Sequence, residues 1–469
     1  MATILKIRWA LMIFGMCACA AAQTNSESQT GTAPAPAFGQ QNTPVLNPEN
    51  PPVTGLDEPG LDLHTATRSF ISPAIQVSES GDSNAANQVG SSGSVESVTR
   101  VLGALDLQQF WPKSDLFLEY LGGGAFYSNP YNTKQLQAAG LEAVTRWRTG
   151  QATLRDSFTY LPDGTFSVGT FGGVPGFGLA TGGGTGGLGG GVPGAHLFGS
   201  GQLGSVGNIP RLANTAILDI VQAINPVSAI TAAGGFSNAH FFDPTGQLIN
   251  SDQVTVEGGY THLISRRDQL GVVYAFQLFQ FPQITGGQFY NNVLNLRWKY
   301  HVTGRMNFTV GAGPQFTELE EDGYQNRVSL SARAQMTYKF AHSSMAATYE
   351  KFTSAGSGFF AGANTQAARL LYTRPLGRTW EFYGDLSYSH NQKLQNSNFG
   401  VAAGSFNEGS AGAVFRKHLG RTYEFFAAYR FSEVAFNIPV TLDGSTGKIS
   451  QRNVGTIGVE WHPRPTRIE

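Results

Sequence analysis

The stretch Tyr324–Phe340 reads YQNRVSLSARAQMTYKF. Val328, Leu330, Ala332, Ala334, Met336, Tyr338 and Phe340 take the even positions; Gln325, Arg327, Ser329, Ser331, Arg333, Gln335, Thr337 and Lys339 take the odd ones. Successive residues of a strand point to opposite faces, so this period of two describes a β-strand with one apolar and one polar face. The pattern recurs in Asn292–Val302, where Leu294, Leu296, Trp298, Tyr300 and Val302 oppose Asn295, Arg297, Lys299 and His301. Val254, Val256, Tyr260 and Ile264 likewise oppose Thr255, Glu257 and Thr261, and Trp380, Phe382, Leu386 and Tyr388 oppose Glu381, Asp385 and Ser387.

Composition says which solvent the apolar face meets. Charged residues are 13% of the chain, below the roughly 25–35% that a water-facing surface carries by itself. Part of the surface is therefore expected to meet something other than water. Lys6 and Arg8 precede the apolar run Trp9–Ala18, and Ala20, Ala21 and Ala22 follow; residues 1–22 read as a secretory signal peptide. Beyond it no apolar run reaches the roughly 18 residues of a spanning helix. The other structure that crosses lipid with every backbone group bonded is a closed β-barrel.

Both cysteines, Cys17 and Cys19, fall inside the signal, so the mature chain is expected to lack thiol and disulfide chemistry. Removing Lys6 and Arg8 leaves 29 basic against 32 acidic residues, a net charge of -3. That balance argues against a nucleic-acid partner.

Residues 23–63 are rich in Pro, Ser, Thr, Gln and Asn without apolar periodicity, and read as a disordered periplasmic arm. Residues 64–469 form one domain of alternating strands. Short links, PKSD (112–115), TGQ (149–151), NPVS (225–228), SRRD (265–268), TG (303–304), AHS (341–343), PLGR (375–378) and HLGR (418–421), alternate strictly with longer Gly, Asn, Asp and Ser-rich ones. LGRTWEF at Leu376–Phe382 returns 43 residues later as LGRTYEF at Leu419–Phe425. The repeat is one hairpin long, too long and too weak for a solenoid.

If both termini lie on the short-turn side, each short turn joins an even strand to the next odd one. This gives eighteen strands, the first over 68–78 and the last two over 422–436 and 452–462. Two strands are less secure. Residues 214–224 read equally as one face of a helix, with Ala213, Ala216, Ile217, Ile220, Val221 and Ile224 aligned, but a helix there would put every later short turn on the wrong rim. The first strand holds Pro73, which fits only an edge or a bulge. Without these two the count is sixteen.

From about Arg68 to His462 the chain resembles the large single-chain bacterial outer-membrane β-barrels of porin type. The likeness rests on strand pattern, hairpin parity and the signal peptide, not on a diagnostic motif. It implies an all-β, transmembrane, antiparallel up-and-down barrel in the outer membrane, inserted by the barrel-assembly machinery, with porin-like trimers as the implied homo-oligomer. Such proteins usually end on an aromatic residue, whereas this chain runs past Trp461 into HPRPTRIE. A soluble β-sandwich also alternates polarity. Low charge, a meander without an evident Greek-key crossover, and strands of roughly 9–11 residues or more favour the membrane barrel.

A barrel of this size is too wide for side chains to fill, so a water-filled channel for small polar solutes is the default function. Charges at the lipid midplane cost about 2–4 kcal/mol. Arg100, Asp106, Glu119, Glu142, Arg146, Arg155, Glu257, Arg297, Lys299, Arg327, Arg333, Lys339, Glu350, Arg369, Glu381, Asp385, Arg416, Glu424 and Arg430 are therefore expected to face the lumen. Leu294, Leu296, Trp298, Tyr300, Val328, Leu330, Met336, Tyr338, Phe340, Trp380, Phe382, Tyr423 and Phe425 are expected to face lipid. The charges either set up a transverse field for solutes or pair across neighbouring strands; their slight basic excess suggests mild anion preference.

The longest loop, 162–213, contains GFGLATGGGTGGLGGGVPG, and folds into the lumen as a constriction or lies outside as a flexible loop. Gly182, Gly184 and Gly187 fit GxGxxG, but no strand-to-helix context or following acidic residue supports a dinucleotide site. No HExxH or GxSxG occurs, so neither an enzyme nor a cofactor or metal is expected. Loop carboxylates in 78–84 and 243–252 could take calcium, though solvated loops explain them better. The competing reading is a non-conducting scaffold or export component that recruits a periplasmic partner through residues 23–63.

Overall fold

The computed structural model describes residues 69–86, 88–90, 95–128, 133–161, 209–243, 246–303, 305–319, 326–394, 400–420, 422–442, 444–464 and 466–468, the side chains of Glu119 and Leu161 excepted. The expected signal peptide (1–22), the expected arm (23–63) and most of the expected 162–213 loop lie outside them.

The described chain is almost all strand. β1 (Phe70–Asp82), β2 (Glu96–Phe110), β3 (Ser114–Tyr127), β4 (Thr133–Trp147), β5 (Gly150–Leu161) and β6 (Arg211–Asn225) come first. β7 (Ser228–Phe241), β8 (Ser251–Leu263), β9 (Asp268–Gln280), β10 (Gln288–Thr303), β11 (Met306–Leu319) and β12 (Arg327–Lys339) follow. β13 (Ser344–Ser354), β14 (Ala363–Pro375), β15 (Trp380–Lys393), β16 (Ser405–Leu419), β17 (Tyr423–Leu442) and β18 (Ser445–Trp461) complete the wall, and a two-residue β19 (Thr466–Arg467) follows. Each strand pairs antiparallel with the next, and β1 pairs with β18 from Ile75 opposite Trp461 to Asp82 opposite Val454. The sheet thus closes on itself as an eighteen-strand up-and-down barrel.

Both less secure strands belong to it. β6 starts at Arg211, three residues earlier than expected, and its burial alternates residue by residue. Register explains why the helical spacing loses: β6 bonds to β5 on one side and β7 on the other over nearly its whole length. Pro73 is tolerated because the second ladder is interrupted beside it. It lies opposite Leu105 on β2, while β18 takes over only at Ile75 and β19 bonds only Phe70 and Ile71. The residues beyond Trp461 thus extend the wall against the start of β1.

Strict alternation of short and long links fails once. β17 and β18 are joined by residues 443–444 on the long-loop rim, because the expected loop pairs into a hairpin extension. Its register shifts between Ala435 and Val440, around Pro439, which could not donate to a regular ladder.

The seam is pinned by charge. Arg452 Nε lies 3.0 and 2.9 Å from the two carboxylate oxygens of Asp82 on β1, and Nη2 also donates to Asp82. Both side chains are buried, so Asp82 is committed to Arg452, while Glu79, the other carboxylate of 78–84, lies on the exposed face and accepts from the Thr99 hydroxyl (2.6 Å). Breaking such a pair one-sidedly strands a buried charge at about 3–5 kcal/mol. Arg452→Ala should therefore lower unfolding free energy by about that amount, and Arg452→Met with Asp82→Asn should recover most of it. Urea titration followed by loss of the heat-modifiable folded band measures both; an Arg452→Ala barrel as stable as the parent contradicts the role.

Candidate functional site

Alternation along each strand separates an exposed face from a buried one. On β10, Leu294, Leu296 and Trp298 are exposed whereas Asn295 and Arg297 are buried. On β12, Val328 and Leu330 are 71% and 52% exposed, Phe340 just beyond the strand is exposed, and Met336 and Tyr338 are half-buried. Trp380 and Tyr423 are exposed; Tyr300, Phe382 and Phe425 are half-buried.

Aromatic pairs bound the exposed apolar belt. Toward the long loops, Tyr hydroxyls donate to cross-strand Asn side chains three times: Tyr274 to Asn292 (2.6 Å), Tyr388 to Asn407 (3.0 Å) and Tyr429 to Asn453 (2.7 Å). Toward the short turns, Trp298 Nε1 donates to Asp268 (3.3 Å) and Trp147 Nε1 to Gln222 (2.8 Å). Amphipathic rings at both interfaces with an apolar band between are what a barrel in lipid requires. The chain is an outer-membrane barrel of porin-like architecture.

The opposite face gathers the charges, and most meet a carboxylate on a nearby strand. Arg146 Nη2 lies 2.7 Å from Asp115, Arg297 Nη2 3.4 Å from Glu257, Arg333 Nε 3.1 Å from Glu350, Arg369 Nη2 2.7 Å from Asp385, and Arg416 Nη1 3.2 Å from Glu424. Arg155 pairs with Asp219. Arg100 and Arg430 donate to Ser80 (2.5 Å) and Ser410 (2.9 Å). Glu142 is buried; Asp106, Lys299 and Lys339 are half-buried; Arg327 is exposed near the long-loop end of β12. Glu381 accepts from the Tyr383 hydroxyl and lies 3.7 Å from His418 Nε2. The side chain of Glu119 lies outside the described residues. Asp82, Asp115, Arg211, Asp219, Glu408, Arg452 and Glu460 are further buried charges that the sequence reading missed.

This face is not uniformly polar. Val98, Leu102, Leu121, Ala125, Leu136, Ala138 and Ile217 form one buried apolar patch. At the long-loop end a larger apolar layer assembles from segments far apart in the ring. Its centre is the β13–β14 loop, residues 355–362. The Phe359 ring sits 5.2 Å from Phe406 on β16 and 5.3 Å from Phe436 on β17. On the opposite side of the ring, Gly358 O accepts from Ile249 N of the β7–β8 loop (2.8 Å). Gly358 has φ +78°, and a Cβ there would lie 2.6 Å from the Phe241 ring of β7, so only glycine permits the approach. Strands β7 and β16 are nine apart in a ring of eighteen, so this loop bridges the mouth.

Val401 and Ala403 of the β15–β16 loop and Val440 and Leu442 of the hairpin extension join the layer. Phe279, Phe281 and Phe289 adjoin it, with ring centroids 4.5 Å apart for Phe279–Phe289 and 6.0 Å for Phe281–Phe289. In the β7–β8 loop, Asp243 accepts the backbone N–H groups of Gln247 (2.6 Å) and Leu248 (2.8 Å); this carboxylate shapes a turn. Among the described residues no cluster of His, Cys, Asp or Glu could hold a metal ion.

No family model matches the chain, and no curated protein is similar to it. Among solved structures it is similar to OccK5 (OpdH) of Pseudomonas aeruginosa, with 11% identity over 86% of this chain and 99% of that one, at a TM-score of 0.40. It is similar to OccK2 (OpdF) of the same organism in complex with glucuronate, with 9% identity over 86% and 100% at 0.41, and to the FrpB iron transporter from Neisseria meningitidis, with 8% over 85% and 83% at 0.39. At such identities, function has to be read from this chain's own residues.

A charge in the middle of the belt should be felt at once. Leu296, 59% exposed, changed to Arg should destabilise the barrel in vesicles by about 2–4 kcal/mol, whereas Leu296→Met should change little. Urea unfolding from vesicles, followed by tryptophan fluorescence, decides it; equal stability of the Arg variant contradicts a lipid-facing Leu296.

Proposed function

We propose that this barrel is an outer-membrane channel for small polar solutes, with the buried face of the strands as its inner wall. The observation that carries this reading is the polarity of that face. Arginines, carboxylates, amides and hydroxyls recur on strand after strand, and they are needed there only if water and polar solutes meet them. Because the arginines named above are mostly paired with carboxylates, the wall offers polar hydrogen-bonding surface more than net charge. The mild anion preference expected from a basic excess loses its basis.

The apolar layer across the long-loop mouth makes the β13–β14 loop the natural constriction. Water and ions avoid a narrow aromatic passage, so transit requires Phe359 and Phe360 to move or the layer to leave a side path. The same layer also favours a second reading, a non-conducting scaffold that recruits its partner through residues 23–63. Barrel-assembly machinery, a homo-oligomeric state and the external or internal position of the 162–213 loop remain part of the proposal.

Planar-bilayer recording of the detergent-purified chain separates the readings. Deleting residues 356–361 should raise single-channel conductance several-fold, and Phe359→Ala should raise it less. If neither the parent nor the deletion variant conducts while the folded band is retained, the scaffold reading stands and the channel reading falls.

A further inference from the structure

One corner of the inner wall holds buried polar groups that no other described residue satisfies. Register on β17 and β18 sets Glu424 directly opposite Glu460, and both are buried, at 2% and 6% exposure. Like charges facing across a ladder repel, so each needs a counter-cation or a proton. Glu424 has two: Arg416 Nη1 at 3.2 Å from Oε1 and His418 Nδ1 at 3.2 Å from Oε2. His418 also faces Glu381, so this cationic pair is shared by two carboxylates before it reaches Glu460.

Glu460 Oε2 is buried with no hydrogen-bond partner among the described residues. On the other side of β18, Gln76 of β1 lies in register with Glu460. Gln76 is 1% exposed, and neither its amide oxygen nor its amide nitrogen has a partner among the described residues. His462, two residues beyond Glu460 on the same parity, also has an unpartnered buried Nε2. Orphaned buried polar groups are rare and call for an explanation such as a bound ion or ligand. Three of the four atoms can accept: the carboxylate oxygen, the amide oxygen, and the ring nitrogen in one neutral tautomer.

We propose that Glu460, Gln76 and His462 form a subsite for a singly charged ammonium-type cation on the inner wall near the short-turn rim. An ammonium group presents several N–H donors and one positive charge. It would satisfy the carboxylate oxygen, the amide oxygen and the ring nitrogen together, and it would supply the charge that Arg416 and His418 divide between Glu424 and Glu381. Such a group arrives either as a free small ion or on an amine-bearing solute. How it reaches the site rests on the channel reading, but binding to solubilised protein does not need conduction, so the two can fail separately.

Calorimetric titration of methylammonium chloride into the detergent-purified full chain tests it, with choline chloride, which has no N–H donor, as the matched salt. The expected result is saturable heat for methylammonium only, weakened at least tenfold by Glu460→Gln and clearly weakened by Gln76→Leu. Glu79→Gln, which removes a carboxylate from the exposed face, should leave it unchanged. Gln76→Leu decides the matter if Glu460→Gln loses the folded band. Tighter binding of lysine methyl ester than of methylammonium assigns the site to amine-bearing solutes, and equal binding assigns it to the free ion. No saturable heat in the parent, or equal heat in parent and Gln76→Leu, overturns the proposal.

Discussion

Every backbone N–H and C=O inside hydrocarbon must find its partner within the protein, and the rest of this structure follows from that constraint. A sheet with free edges would leave two rows of such groups unbonded. Closure of β1 against β18 removes both edges, and it sets the parity of all the strands between them. Closure also explains the local exceptions. Pro73 survives only where the second ladder is interrupted, and the chain beyond Trp461 returns as β19 to bond the start of β1. The Asp82–Arg452 pair then ties the joining strands together by charge as well as by backbone.

Once the wall is closed, its two faces meet opposite demands. The exposed face has to match hydrocarbon between two aromatic girdles, which the Tyr–Asn and Trp pairs mark. The enclosed face has to keep its charges without large desolvation costs, and pairing between nearby strands achieves this for most arginines. Two departures then carry the functional argument. The apolar layer bridging β7 and β16 narrows one end, and the incompletely satisfied corner around Glu460 lies toward the other.

Much of this was legible in the sequence, and the parts that were not have physical reasons. β10 and β12 declare themselves because their two faces differ at almost every position. Residues 214–224 do not, since Ile and Ala at these spacings suit a helix as well as a strand; only the parity of later turns resolved them. On β2 the run VTRVLGAL is largely apolar on both faces, with Arg100 the one charge beside Val98 and Leu102, so the buried apolar patch left little signal. Asp82 and Asp115 sit where strand ends were misjudged, whereas Glu408, Arg452 and Glu460 lie inside expected strands without being singled out. Asp82 lies four residues past the expected end of β1, Asp115 was read as turn, and Asp219 belongs to the ambiguous strand. Residues 355–362 have no periodicity, and their role depends on contacts with β7 and β16 more than a hundred and about fifty residues away, which no local pattern reports.

The central claim is a closed wall with oil outside and polar groups inside, and β12 tests it most directly. Nitroxide labels placed one at a time from Val328 to Lys339 in vesicles would report collision with dissolved oxygen, which concentrates in lipid, and with a water-soluble nickel chelate. The account predicts oxygen access peaking at Val328, Leu330 and Met336 and falling at Ser329, Ser331 and Gln335, with a period of two. Uniform aqueous access along the strand, or peaks at the odd positions, would contradict it.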